Sequence, residues 1–204
     1  MVVPGVYLVF SAAAIFVVGG SPVLLGDIPA MLELAGRTPT AFGAAVLLDG
    51  TFHILFLVSA VTLYMALKGS WPVRSAIILG CGFWQMIVGF TKGLSSFFMF
   101  TPLGSAYVAG DAATKVTLAA VASGFYGLRL ALQIMDGAGI MVIWIILSVL
   151  PAGSITRPIR GLGWAMTLAL LAATPSGPTF LLVVVFFPIW AFLVGRWLKR
   201  RPPA

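Results

Sequence analysis

The chain has 204 residues, 61% hydrophobic and 8% charged. A soluble domain carries roughly a quarter charged residues, so an ordinary soluble globule is excluded and a polytopic membrane protein is expected. The formal charge of +7 does not argue for nucleic acid, because the basic residues stand at the ends of apolar runs, as topology signals do.

The single cysteine, Cys81, rules out an internal disulfide and a cysteine metal site. No hydrophilic stretch is long enough to fold separately, so residues 1–204 read as one integral membrane domain. No Lys or Arg precedes the first apolar run, which argues against a cleavable signal peptide.

In chain order, a first helix is expected over 6–25, interrupted near its end by Gly19-Gly20-Ser21-Pro22. Residues 27–40 form a short loop whose Glu33 and Arg37 are spaced as an i,i+4 pair on a short surface helix. Helix 2 spans 41–67. Lys68 and a Gly69-Ser70-Trp71-Pro72 turn follow, short enough to make helices 2 and 3 antiparallel neighbours. Helix 3 covers 75–100, and Thr101-Pro102 opens a loop to Gly110.

The segment 111–135 has helical periodicity, with Lys115, Ala122, Tyr126, Arg129 and Gln133 on one stripe and Val121, Phe125, Leu128 and Leu132 opposite. It reads as an amphipathic helix at the outer surface, feeding a fourth crossing after Gly137 and Gly139 loosen the chain. A short helix over 161–174 and a last one over 179–198, kinked at Pro188, complete the order. Charge selects this count. With six crossings Lys68, Arg74, Arg157, Arg160 and the cluster Arg196, Lys199, Arg200, Arg201 share one side; a seventh would split them. The fold expected is therefore an all-α transmembrane helical bundle of six membrane-spanning helices plus an amphipathic helix over about 112–131. Its place is a bacterial plasma (inner) membrane, multi-pass, with both termini cytoplasmic.

Asp49 and His53, the only histidine, lie one turn apart inside helix 2. A carboxylate at bilayer depth is costly and so needs a partner or a function. Asp49 stands about eight residues from the outer end of its helix, roughly 12 Å deep. Lys92 stands at the matching depth on helix 3, so an Asp49–Lys92 ion pair is expected. Lys92 shares a face with Gln85, Gly89 and Ser96, a polar stripe of the kind that faces a bundle interior or a water-filled cavity. Trp84 and Trp144 lie deep enough to wall a small amphipathic ligand, or to pack in the core. Arg129 and Asp136, seven apart, share a face and either pair or leave Arg129 reaching the outer headgroups. No metal-ligand spacing, nucleophile elbow or phosphate loop is present, so no catalytic residue, metal or cofactor is assigned.

The run Gly137-Ala138-Gly139-Ile140-Met141-Val142-Ile143-Trp144, then Arg160-Gly161-Leu162-Gly163-Trp164, then Phe186-Phe187-Pro188-Ile189-Trp190 with Gly195-Arg196-Trp197-Leu198, resembles a family of six-helix bacterial membrane proteins known as a domain of unknown function. That resemblance implies a six-helix fold and carries over no functional residue. The run over 6–26 alone is similar to the six-helix amide and urea channels, whose later motifs are missing here.

Three functions follow as expectations. The first is binding or passage of a small molecule through an outward-opening polar cavity between helices 2 and 3, lined by Asp49, His53, Gln85 and Lys92. The second is a non-catalytic accessory or assembly subunit of a membrane complex, or a homo-oligomer, in which the same residues only hold helices together. The third is an intramembrane enzyme using Asp49 and His53 as acid and base. The partners expected are the lipid bilayer and a small molecule, quinone, pigment or lipid, with no nucleic acid.

Overall fold

A computed structural model describes residues 26–151, 153–172 and 179–200, without the side chains of 46–50, 179–181 and 184. The helix expected over 6–25, the turn at 175–178 and Arg201 lie outside these residues. Within them the chain is all-α. In order come α1 (Ile28–Arg37), α2 (Pro39–Leu67), α3 (Pro72–Ala109), α4 (Ala112–Ser148), α5 (Arg157–Ala172) and α6 (Thr179–Lys199).

Local chemistry sets the boundaries. Asp27 caps α1, its carboxylate accepting from the Ala30 N–H at 3.1 Å, and Asp111 caps α4 by accepting from the Thr114 N–H at 2.8 Å. Prolines open α2 and α3, where a missing N–H costs nothing. α1 is the short surface helix expected: Ile28, Met31, Leu32 and Ala35 recur at helical spacing and are buried, while Glu33 and Arg37 pair at 2.8 Å on the open side.

The expected six membrane-spanning helices are not what the described residues show. Two helices there are long and apolar enough to cross a membrane, α3 with mean hydropathy 1.5 and α4 with 2.0; Thr51–Leu67 is a shorter apolar stretch. Nor is 112–131 a separate amphipathic helix. It is the first part of α4, which runs unbroken through Gly137 and Gly139. The reason is tertiary. Both glycines are buried against neighbours, Gly137 beneath Leu170 and Gly139 against Trp84, so packing supports helix where propensity alone predicts a break. The loop expected after Thr101-Pro102 is likewise helical, and α3 continues through Pro102 to Ala109.

α2, α3 and α4 lie side by side in antiparallel sequence, and α5 packs on α4 and α6. The α2–α3 register is fixed where Gly82 meets Ala60 and Gly89 meets His53. Two apolar cores result. The larger joins α2 through α6 around Phe52, Phe56, Trp144, Phe187 and Trp190. The smaller joins α1 to Phe42, Phe100 and Ala122. There Gly104 lies so close to α1 that a Cβ on it would sit 2.6 Å from the backbone of both Gly36 and Leu32, so only glycine fits.

α3 is built inside out relative to a helix of a soluble protein. Its buried stripe is mostly small or polar: Ser75, Gly82, Gln85, Gly89, Lys92, Gly93, Ser96 and Gly104. Its outward face carries Val73, Ile77, Trp84, Ile87, Leu94 and Phe98.

Candidate functional site

The polar stripe of α3 meets α2 on one side and α4 on the other, and the meeting point is Asp136. The Lys92 ammonium donates to Asp136 Oδ2 at 2.9 Å and to Gln133 Oε1 at 3.1 Å. On the other carboxylate oxygen, His53 Nδ1 stands 3.5 Å from Oδ1, an ion pair whenever the imidazole is protonated. Gln85 Nε2 donates to the Asp136 backbone carbonyl at 2.7 Å. One residue earlier, Trp84 Nε1 donates to the Met135 carbonyl at 2.9 Å. Successive side chains of α3 thus grip successive carbonyls of α4.

Two glycines make this approach possible. A Cβ on Gly89 would press into the face of the His53 ring, so the imidazole lies flat on bare backbone. A Cβ on Gly139 would come within 2.9 Å of the Trp84 ring. On the Lys92 side, Ser96 and Ser95 return their hydroxyls to the Lys92 carbonyl at 2.7 and 3.1 Å, keeping their polarity within α3.

His53 is 1% exposed, Gln85 0%, Lys92 3% and Asp136 3%, so the centre is enclosed rather than open outward. Gln133 is half-buried and forms its margin. Desolvating a charge costs several kcal/mol per ion, and the short Lys92–Asp136 contact offsets it only because further groups join the pair. Two acceptors in the centre, Gln85 Oε1 and Asp136 Oδ1, carry no hydrogen bond among the described residues.

Of the residues singled out in the sequence, His53, Gln85 and Lys92 converge, and Trp84 flanks them. Asp49 lies in α2 one turn before His53, with its backbone level with Lys92 and Gly93 by the α2–α3 register. Its side chain lies outside the described part, so the expected Asp49–Lys92 pair does too. Trp144 belongs to the larger core, 6.2 Å from Phe187 and 6.5 Å from Trp190, and reaches the centre only through Phe52, 5.2 Å from His53.

Asp136 and Gln133 are the residues that sequence reasoning did not place here. A signal was available: Asp136 and Lys92 are opposite charges in two long apolar runs. Elsewhere, an apolar cleft of about 590 Å³ lies between the start of α2 and α3, lined by Pro39, Gly43, Leu94, Phe97 and Phe98 among others. No protein-family model matches the chain, and neither a curated protein nor a solved structure is similar enough to stand as a relative.

Proposed function

We propose that this chain is an integral protein of a bacterial plasma membrane that binds or passes a small polar solute at the Lys92–Asp136 centre. The observation that carries the reading is the convergence of three polar side chains from two helices, His53, Gln85 and Lys92, on one buried aspartate, with Gln133 holding the lysine beside it. Holding two helices together needs only the ion pair. Adding an imidazole and two amides makes a polar centre able to exchange partners.

The membrane setting is supported by the outward faces. Large apolar side chains are exposed along α2 (Val58, Met65), α3 (Val73, Phe98), α5 (Leu168, Leu171) and α6 (Val185, Ile189), far more than a water-facing surface tolerates. Orientation follows from charge. Lys68, Arg74, Arg157, Arg160, Arg196 and Lys199 flank one end of the larger core, where Leu67, Ile78, Leu150, Ile159, Val194 and Trp197 pack, and that end is the cytoplasmic one in this reading. The end of α6, at Lys199, then lies on the cytoplasmic side.

The test is stopped-flow light scattering of proteoliposomes challenged with urea, glycerol and ammonium chloride. Shrinkage and re-swelling faster than in protein-free liposomes for at least one solute, and slowed in Asp136→Asn, is expected. Permeability equal to protein-free liposomes for every solute overturns the reading. The accessory-subunit alternative, favoured by the closed 2.9 Å pair, would then stand.

A further inference from the structure

We infer that the Lys92 ammonium sits in a site for a small monovalent cation, and that a free alkali ion, sodium in the first instance, takes its place when the lysine side chain swings away. This rests on reading the centre as a binding site, and it names the class of solute.

The argument starts from the atoms around Lys92 Nζ. Two of the groups that hold it are oxygens, Asp136 Oδ2 at 2.9 Å and Gln133 Oε1 at 3.1 Å. Two more buried oxygens accept no hydrogen bond among the described residues: Asp136 Oδ1, which faces His53 Nδ1 at 3.5 Å, and Gln85 Oε1. The orientation of the Gln85 amide is not arbitrary. Its Nε2 donates to the Asp136 carbonyl at 2.7 Å, which leaves Oε1 as its acceptor atom. Carboxylate and amide oxygens of this kind are hard ligands suited to a hard cation.

Charge selects the valence. The carboxylate of Asp136 balances one positive charge. Among the described residues no three His, Cys, Asp or Glu side chains gather to hold a metal ion. Lys92 itself satisfies the same electrostatic need, as a compact point charge on a flexible stem. A tethered ammonium and a free cation therefore compete for one place. The way in runs past Gln133, the half-buried member of the set, while His53 is backed by Gly89 and closes the opposite side.

The experiment is a set of thermal melts of the full-length chain in detergent, with sodium chloride exchanged for choline chloride at constant ionic strength. Lys92→Met removes the competitor and keeps the oxygens. It is expected to melt several degrees higher in sodium than in choline, with a saturable dependence, while Lys92→Met combined with Asp136→Asn shows no difference. Wild type is expected to show a smaller sodium shift, because its lysine competes. Equal melts of Lys92→Met in the two salts, or an equal sodium response in the double variant, overturns the inference. Should Lys92→Met fail to fold, broadening of the sodium NMR line by wild type decides instead. Broadening that Gln85→Met abolishes supports the site, and no broadening overturns it. Solute-dependent swelling of proteoliposomes without any sodium response would overturn the cation site and leave the binding-or-passage reading standing. A sodium response without solute passage would leave the cation site standing and reduce the reading to binding without passage of the solutes tested.

Discussion

Between residues 112 and 135, α4 buries Ala122, whereas between 136 and 148 the same helix buries Asp136, Gly137, Gly139, Ile143, Trp144, Leu147 and Ser148. The two regions do not differ in the way hydropathy suggests. Both are apolar, and the first is held by its ends: the Asp111 cap, the Lys115 ammonium 5.5 Å above the Tyr107 ring, and the small core under Ala122. The second is held along its length, by the polar centre at Asp136 and then by the aromatic core. The point at which α4 changes character is its only interior carboxylate. A buried charge here marks where packing begins, because it can exist only where other elements surround it.

The largest effect belongs to Asp136. Asp136→Asn leaves Lys92 buried opposite a neutral group, at a cost on the order of 3–5 kcal/mol. Adding Lys92→Met is expected to recover part of that loss in a thermal-melt double-mutant cycle run in choline chloride. Strict additivity would mean the pair does not couple. Gly139→Ala comes next. The new methyl must displace the Trp84 ring, and overpacking of this kind costs about 1–3 kcal/mol, visible as a lower midpoint and a blue- or red-shifted tryptophan emission.

In the first region the expected effects are small. Val116→Thr, at a position 72% exposed, should move the melt by no more than about 0.5 kcal/mol. A loss comparable to that of Gly139→Ala would show that the Val116 face of α4 is a packing surface. The smallest effect is the pH dependence of the Asp111 cap. The Thr114 backbone N–H donated to its carboxylate, helped by the Thr114 side chain, holds its pKa below the ordinary value. A lowered folded value stabilises the helix start above the unfolded carboxylate pKa, about 3.9, and this contribution is lost as pH falls through the lowered folded value. Acid titration of helicity should therefore begin to lose this contribution below about pH 4, and Asp111→Ala should remove that part of the acid limb while leaving the neutral-pH fold in place.

Much of the centre was legible because burial of polar residues leaves a periodic trace. Gln85, Gly89, Lys92 and Ser96 recur at helical spacing, and the short 68–71 turn forces α2 beside α3. What was not legible is that α4 brings a counter-charge to Lys92. The Asp49–Lys92 pair expected from matched depth lies outside the described side chains, and Asp136 was weighed only as a partner for Arg129 on its own helix, because i,i+7 spacing can be seen in a sequence and an inter-helix contact across 44 residues cannot. The elements themselves were misjudged for a related reason. Gly137, Gly139 and Pro102 are local breakers, and the sequence does not display the neighbours, Leu170 and Trp84, that keep the first two helical. The short helix α1, by contrast, announces itself through the 28, 31, 32, 35 spacing and the Glu33–Arg37 pair, all within one local window.

The separation of Lys92 from Asp136 also bears on how the protein is made. In the proposed bilayer setting α3 emerges from the ribosome carrying an ammonium whose carboxylate lies 44 residues downstream. A lysine at the centre of a crossing helix costs roughly 2.5–3.5 kcal/mol during insertion. α3 released into lipid ahead of α4 would lack the share of compensation that Asp136 supplies. Threaded together as a hairpin, the two helices enter already neutralised, and the insertion machinery handles one apolar object instead of a charged helix followed by another.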